Sequence, residues 1–456
     1  MLSRRIQLAD DVLRRLAAAL RATQFYTPQH PLVTRSVTAF ADALRLVFGQ
    51  QQSIALGVVG GEFVVGDVPL IRSSAMLSEL LARLQRAGVE RITVDRAVTN
   101  DEIAALVHGL AALDASGAIG NEDGPPLPPM PHIEVGRIRV ERQVDAGPID
   151  PAAVRQLYND STKLAGELWE MTLAEGRPDP KQARTVVDSL AQAAAQNRSA
   201  LLALTALKDY DNYTFTHMVN VSILTMAQAR ALGIEGTVLR EFGLAALMHD
   251  IGKVRTPNEI LNKAAALTAA EYDVIKRHVV DGAEILRSTP DIPIIVPVVA
   301  FEHHLRLDGT GYPAVARTGL NLATQLCGIA DVYDAMRSNR RYQRALPTER
   351  VLEVLHSNDG RQFDQRLVRR FVQILGVYPV GNVVRLDTGE TAVVVRVNPA
   401  DPHRPHVRIL LDRDGRAMPK PYDVSLWDTA PDSGWPSSVA APVDPASVEF
   451  EPLAML

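Results

Sequence analysis

Met248-His249-Asp250-Ile251-Gly252-Lys253 is the stretch on which the reading of this chain turns. Two metal-ligating residue types stand side by side, and a lysine follows three residues after the aspartate. Upstream, Leu239 to Leu247 has the spacing of an apolar helix, which Gly252 and Pro257 stop or bend. The end of a buried helix is a costly place for His and Asp unless something pairs with them. A metal ion is one such partner, and a hydrogen-bonded structural pair is the other. The rest of the chain has to separate the two.

Five of the 11 histidines fall between residues 217 and 304: His217, His249, His278, His303 and His304. Each sits in helical spacing among small or apolar neighbours. His217 shares a face with Val221 and Leu224, and His278 with Val274, Ile275 and Gly282. A lone histidine on such a face is ordinarily a satisfied core residue. Here their number and the acids beside them carry the weight. His303-His304 is a second adjacent pair. Successive helical residues diverge by about 100°, so an adjacent pair addresses two positions around a centre. Asp331, in the helical stretch Leu326 to Met336, can close the set. Asp334, one turn on, can ligate or orient a ligand. Imidazole and carboxylate without thiolate suit iron, manganese or zinc. The set exceeds the needs of one tetrahedral zinc, so two divalent ions are expected. Two ions sharing a water would generate hydroxide near neutral pH and clamp phosphoryl oxygens during in-line displacement. Lys253 is then placed either to meet a phosphate oxygen or to cap helix carbonyls.

His249-Asp250-Ile251-Gly252-Lys253, His303-His304 and Asp308-Gly309-Thr310-Gly311-Tyr312-Pro313, in that order, resemble the HD-GYP phosphodiesterases, a branch of the HD phosphohydrolase superfamily. The resemblance covers roughly residues 205–375. It takes in Asp211-Asn212-Tyr213-Thr214-Phe215-Thr216-His217, Ala330-Asp331-Val332-Tyr333-Asp334-Ala335-Met336 and Phe363-Asp364. It implies an all-helical domain that hydrolyses the bacterial second messenger cyclic di-GMP to pGpG, and in some members on to GMP, at a centre commonly of iron or manganese. Carried over by position, it implies His217, His249, Asp250, His278, His303, His304 and Asp331 as metal ligands, with Asp250 bridging. Lys253 and Asp250 are the implied catalytic residues. Asp308, Gly309, Gly311, Tyr312 and Pro313 would shape the substrate pocket, and Arg340 and Tyr342 would contact substrate. Cyclic di-GMP is the implied ligand, and diguanylate cyclases (GGDEF proteins) or other signalling proteins are candidate partners.

Two departures bear on these expectations. Members with three metals carry a glutamate where this chain has Tyr213, so two ions are expected. The cation that ends the Asp-Arg-Pro-Tyr-Arg-like motif is replaced by Gln343, which removes one charged substrate contact, and Arg344 beside it is the candidate replacement. A lost charge-assisted contact costs about 1.5–3 kcal/mol of binding. Two other functions stand beside the first. One is a non-catalytic module that binds a nucleotide or partner and signals through the helices at 150–196. The other is a phosphohydrolase of a different nucleotide.

The remaining chain reads as additional domains, in keeping with 456 residues. Residues 1–142 suggest a small α+β domain. Its helices are Asp10 to Leu20, Pro31 to Phe48 and Ala75 to Ala87, with a further helix that Asn100 opens as N-cap. Ile54 to Val59 and Phe63 to Val65 form a hairpin around Gly60-Gly61. A Gly/Pro linker spans 114–131, and His132 to Glu141 alternates as a strand that returns to this sheet. Residues 150–199 read as two connecting helices, a candidate surface for a homodimer, and 200–376 as the HD-GYP domain. Residues 377–427 read as a small β-barrel-like module with strands at Val383 to Leu386, Thr391 to Val397 and Val407 to Asp412. Residues 428–456 read as a disordered tail. The net charge of -5 shows no basic surface for a nucleic-acid polymer. Cys327 is the single cysteine, so an intrachain disulfide is excluded. The charged N-terminus and the absence of a long apolar run predict a cytoplasmic protein with no membrane segment.

Overall fold

Apolar residues at helical spacing dominate this chain, and most of it is helical accordingly. The computed structural model describes residues 2–49, 51–59, 62–66, 68–116, 127–136, 151–196, 202–203, 205, 213–263, 265–315, 319–338, 346–357, 361–427, 437–443 and 447–448. Two compact units result. One comprises residues 1–139 with 232–238, and the other comprises the remainder. Among the described residues no helix is long and apolar enough to cross a membrane.

The first unit begins with α1 (Leu2–Phe25) and α2 (Pro31–Phe48), followed by β1 (Ser53–Val59), β2 (Glu62–Val65), β3 (Val68–Pro69), α3 (Ile71–Met76), α4 (Ser78–Arg86), β4 (Arg91–Asp95), α5 (Asn100–Ser116) and β5 (Ile133–Gly136). The sheet order is β3-β2-β1-β4-β5, antiparallel throughout. The alternating segment after the Gly/Pro stretch does return: Val135 pairs with Ile92 and Ile133 with Val94. Leu13, Leu16, Phe40, Phe63, Ile92 and Leu106 form the core. The α5 cap differs from the sequence expectation. Thr99 Oγ1 accepts from the Glu102 amide at 3.2 Å while Glu102 accepts from the Thr99 amide at 2.9 Å, a capping box one residue before Asn100.

The second unit starts with α6 (Pro151–Glu175) and α7 (Pro180–Gln196). Its central helix is α8 (Tyr213–Ala231), followed by α9 (Gly236–Leu247), a 3-10 helix at Ile251–Arg255, α10 (Asn258–Leu261), α11 (Ala269–Lys276), α12 (His278–Ser288), α13 (Ile295–Glu302), α14 (Leu322–Arg337), α15 (Thr348–Ser357) and α16 (Gln365–Leu375). From Thr216 to Ala229 every residue of α8 is buried, and α14 packs along it. The helical spacing that groups His278 with Val274 and Ile275 is broken at Arg277, so that α12 begins at His278.

A single close contact sets the 3-10 helix against α12. A Cβ on Gly252 would fall on the His278 carbonyl oxygen and the Gly282 amide nitrogen. Only glycine lets these two main chains approach, and that approach places Lys253 and His278 on one side.

Strands β6 (Val383–Leu386), β7 (Thr391–Arg396), β8 (His406–Leu411), β9 (Ala417–Ser425) and β10 (Val439–Val443) follow. The order is β10-β6-β7-β8-β9. This corrects two expectations. The module is an open antiparallel sheet among the described residues, not barrel-like. Its ends are β9, where Pro419 and Pro421 have no amide hydrogen to offer a further strand, and β10. The stretch expected to be disordered contributes β10, whose Val443 pairs with Val383.

Gly252→Ala is expected to lower the stability of the metal-free protein by about 1–3 kcal/mol, because the new methyl meets main chain that cannot turn aside. Urea denaturation measures this, and an unchanged midpoint would contradict the packing account.

Candidate metal centre

Four helix ends and one helix interior bring the seven side chains together. His217 comes from the first turns of α8, and His249 and Asp250 from the turn between α9 and the 3-10 helix. His278 is the first residue of α12, His303 and His304 follow α13, and Asp331 lies inside α14. Helix ends suit this task. Their side chains point away from the helix body, and the chain can turn there without losing interior hydrogen bonds.

Three imidazoles are aimed by the helix that carries them. The Nδ1–H of His249 donates to Ala246 O at 2.7 Å, that of His278 to Ile275 O at 2.7 Å, and that of His303 to Ala300 O at 3.0 Å. Each bond fixes the tautomer and turns Nε2 inward as a free lone pair. His217 is aimed by a carboxylate instead. Its Nδ1 lies 2.8 Å from Asp334 Oδ2, and Asp334 Oδ1 accepts from Asn220 Nδ2 at 2.9 Å. Between Asp331 and Asp334, the first therefore faces the cluster and the second orients His217 from behind.

The donor atoms form two triads, joined by a third group of His249, Asp250 and His303. His217, His249 and Asp331 offer atoms within 4.8 Å of one another, as do His278, His303 and His304. Asp250 stands between them. Its Oδ1 lies 3.3 Å from His278 Nε2 and 3.8 Å from His303 Nε2, while its Oδ2 lies 3.4 Å from His249 Nε2 and 3.7 Å from His217 Nε2. One carboxylate thus addresses both groups with separate oxygens.

Two buried atoms test whether this donor set fits metal. His249 Nε2 and Asp250 Oδ1 have no hydrogen-bond partner, although both residues are essentially out of solvent. An unpaired buried donor or acceptor costs about 1–3 kcal/mol. Both atoms point into the cluster, and a divalent cation would satisfy both. Imidazole and carboxylate donors are the chemistry such a cation takes. The residues fit.

The electrostatics prepare the same donors. Burial pushes the imidazole of His278 down to about 3 and that of His304 to about 4, and holds His303 low as well. These rings are neutral at physiological pH, the form in which imidazole can ligate a metal. Burial alone would raise Asp250, yet Lys253 and His249 beside it keep its carboxyl well below the usual range. Asp331 is likewise held low against burial, chiefly by its hydrogen bond from His217. His217 moves the other way. Burial disfavours its charge, but Asp331 and Asp334 outweigh burial and raise it to about 9.

Lys253 Nζ donates to Asp250 Oδ2 and is about a quarter exposed, so its ammonium lies at the rim of the cluster. The Tyr312 ring lies tilted against His304 with ring centroids 4.5 Å apart and meets His278 edge-on at 6.2 Å. The loop before it is shaped by backbone need. A Cβ on Gly311, at φ 111°, would strike the His304 carbonyl. Gly309 is an open loop tip at φ 76°, and Pro313 follows Tyr312 through a cis bond. Asp308 uses Oδ1 within the loop, accepting from the Thr310 amide at 2.9 Å and hydroxyl at 2.6 Å. Arg340, Tyr342, Gln343 and Arg344 lie outside the described residues, as does the Tyr213 side chain.

Sequence reading missed four neighbours. Asn220, one turn after His217 on the same face, holds Asp334. Buried Glu302 accepts from Asn321 Nδ2 at 2.9 Å and Thr324 Oγ1 at 3.1 Å, tying the end of α13 to the start of α14. The N-cap pattern Asn321-x-x-Thr324 was the available signal. Tyr272 lies 6.4 Å from Tyr312, with Lys276 Nζ 4.5 Å above the Tyr272 ring. Nothing local in the sequence marks these last two.

Residues 182–367 match the family model described as HD domain. Both His249-Asp250 and Gly311-Tyr312-Pro313 fall inside it. Residues 383–430 match the KOW domain associated with HD domain, which covers the open sheet from β6 to β9. A Pseudomonas aeruginosa protein named cyclic di-GMP phosphodiesterase PA4108 is 36% identical over 247 residues, 54% of this chain and 59% of that protein. A Thermotoga maritima protein named cyclic di-GMP phosphodiesterase is 32% identical over 174 residues, 38% of this chain and 47% of that one. The 3'3'-cGAMP-specific phosphodiesterase 1 of Vibrio cholerae is 32% identical over 157 residues, 34% of this chain and 36% of that one. The chain spans about half the length of the curated relatives that it matches most extensively. The solved structure of Bd1817, a HDG"Y"P protein from Bdellovibrio bacteriovorus, aligns with a TM-score of 0.43 at 16% identity, covering 71% of this chain and 94% of that one.

A proton count follows from His217. With its pKa near 9 the metal-free ring is charged at neutral pH, and ligation through Nε2 requires that proton to leave. Divalent-ion binding is therefore expected to release about one proton per chain near pH 7 and to strengthen as pH rises toward 9. Calorimetry in buffers of different ionisation enthalpy measures the release, and binding without it would contradict the assignment.

Proposed function

We propose that the HD domain is a metal-dependent phosphodiesterase that opens cyclic di-GMP to linear pGpG, with GMP as the product of a second cleavage. The observation that carries this reading is the buried Asp250 carboxylate, which gives one oxygen to each of two imidazole groups, with Lys253 at its rim. In this reading His217, His249, Asp250 and Asp331 hold one divalent ion, and Asp250, His278, His303 and His304 hold a second. Iron or manganese suits such donors. When bound, the two ions supply an activated water and charge neutralisation at the phosphoryl group.

The chain's own residues do the rest. The ammonium of Lys253 meets a non-bridging phosphate oxygen and stabilises the charge that gathers there in the transition state. Hydrolysis adds water across one P–O3' bond: the water oxygen joins phosphorus, and the 3'-oxygen leaves and takes up a proton. Tyr312 closes one side of the pocket by packing on His304, and Gly309 and Gly311 let the loop main chain lie close to the substrate. Tyr272 and Lys276, beside Tyr312, offer an aromatic face and a cation to a purine nucleotide.

The Vibrio cholerae relatives favour a second reading in which the substrate is 3'3'-cGAMP. Both cyclic dinucleotides present the same two phosphodiesters, so the centre serves either, and the base pocket discriminates.

Full-length protein loaded with Mn2+ is expected to release pGpG from cyclic di-GMP and to lose that activity on chelation. Lys253→Ala is expected to keep its metal and lose about 100- to 1,000-fold in kcat. Product chromatography with metal analysis on the same samples measures both. Preference for 3'3'-cGAMP selects the second reading, and metal-loaded protein that cleaves neither dinucleotide overturns the enzyme assignment.

A further inference from the structure

Helix α6 supplies no candidate metal ligand, yet one of its side chains is connected to the cluster by an unbroken chain of hydrogen bonds. The Tyr158 hydroxyl donates to Asn220 Oδ1 at 3.1 Å. Asn220 Nδ2 donates to Asp334 Oδ1 at 2.9 Å, and Asp334 Oδ2 accepts from His217 Nδ1 at 2.8 Å. On its other side His217 faces Asp331 with Nε2 at 3.1 Å. All four residues of the relay are 2–3% exposed, so bulk water does not compete for these bonds.

The chemistry fixes the direction of every link. Ionised Asp334 only accepts, so the Asn220 amide nitrogen must face it. The amide oxygen is then the end that meets Tyr158, and the phenol must donate. Without that hydroxyl the amide oxygen loses a buried donor, and the amide is free to tilt. The Asp334 carboxylate that aims His217 tilts with it.

A second contact seats the same helix beside the same ligand. Trp169 of α6 meets Phe215 edge-on, with ring centroids 6.1 Å apart. Opposite Phe215 the helix carries Gly166, where a Cβ would come within 3.2 Å of that ring. Phe215 is two residues before His217. Helix α6 also packs on the 3-10 helix that bears Lys253.

We propose that Tyr158 and Asn220 are positioning residues for the metal ligand His217, and that the seating of α6 therefore sets the metal affinity of that half of the centre. The proposal rests on reading the cluster as a metal centre and is independent of which nucleotide is cleaved.

The test is Mn2+ binding to the metal-free full-length protein, followed by electron paramagnetic resonance and calorimetry. Tyr158→Phe keeps the ring and removes the relay's first donor. Asn220→Ser removes the amide and serves if the first variant does not fold. Either is expected to weaken Mn2+ binding by about 10-fold or more. Ser222→Ala is the control. It removes a buried hydrogen bond from the same helix, Ser222 Oγ to Gly243 O at 2.8 Å, away from the cluster. It is expected to bind Mn2+ as the wild type does. Folded Tyr158→Phe with wild-type affinity overturns the proposal, as does an equal loss in Ser222→Ala. Wild-type protein that takes up no Mn2+ overturns the metal reading and the proposal together. Failure to cleave cyclic di-GMP leaves the metal-binding result standing.

Discussion

A carboxylate held ionised out of water is the constraint around which the second unit is arranged. Asp250 has almost no contact with solvent, and burial of such a charge is expensive unless cationic or ligand partners surround it. Lys253 and the inward-facing imidazoles are those partners. Their convergence explains why so many helices end at one place. A helix that ends at the cluster delivers a side chain together with an i−3 carbonyl to orient it. His249, His278 and His303 all use this device. His217 lies near the start of α8, where the preceding carbonyls are taken up by the helix itself, so Asp334 does the same work from a neighbouring helix.

Much of this cluster is legible because its side chains are marked by local pattern. Adjacent polar pairs at His249-Asp250 and His303-His304 interrupt apolar runs, and such interruptions show in one dimension. The role of Asp250 as the shared carboxylate came from resemblance, and the split of its two oxygens is a property of the fold. Asp334 was read with two options because i+3 spacing does not say which acid points inward. Asn220 and Tyr158 were not read at all. An asparagine and a tyrosine on apolar helix faces carry no signature until the partner helix is in place. The same limit explains Tyr272, whose contact with Tyr312 joins residues 40 apart in sequence.

The β regions show where pattern misleads. Three strands of the C-terminal sheet alternate or run apolar and were read to within a residue or two. Strand β9 is largely exposed and holds two prolines, so it resembles a loop. It forms because an edge strand needs to bond on one side only. Strand β10 lies in a Pro- and Ala-rich stretch that composition assigns to disorder, and pairing with β6 orders it. In the first unit the Gly/Pro stretch did not prevent β5 from returning, because alternation at Ile133 and Val135 survives whatever precedes it.

The approach of Gly252 to Gly282 has a consequence for the ions themselves. Main chain touches main chain there, so the distance between the turn bearing His249 and Asp250 and the helix bearing His278 is a backbone dimension. Side-chain repacking cannot widen or narrow it. Ions of different radius must then be accommodated by imidazole and carboxylate rotation alone, within a frame of constant span. In the proposed centre such a frame would narrow the range of ionic radii that the donors can accept.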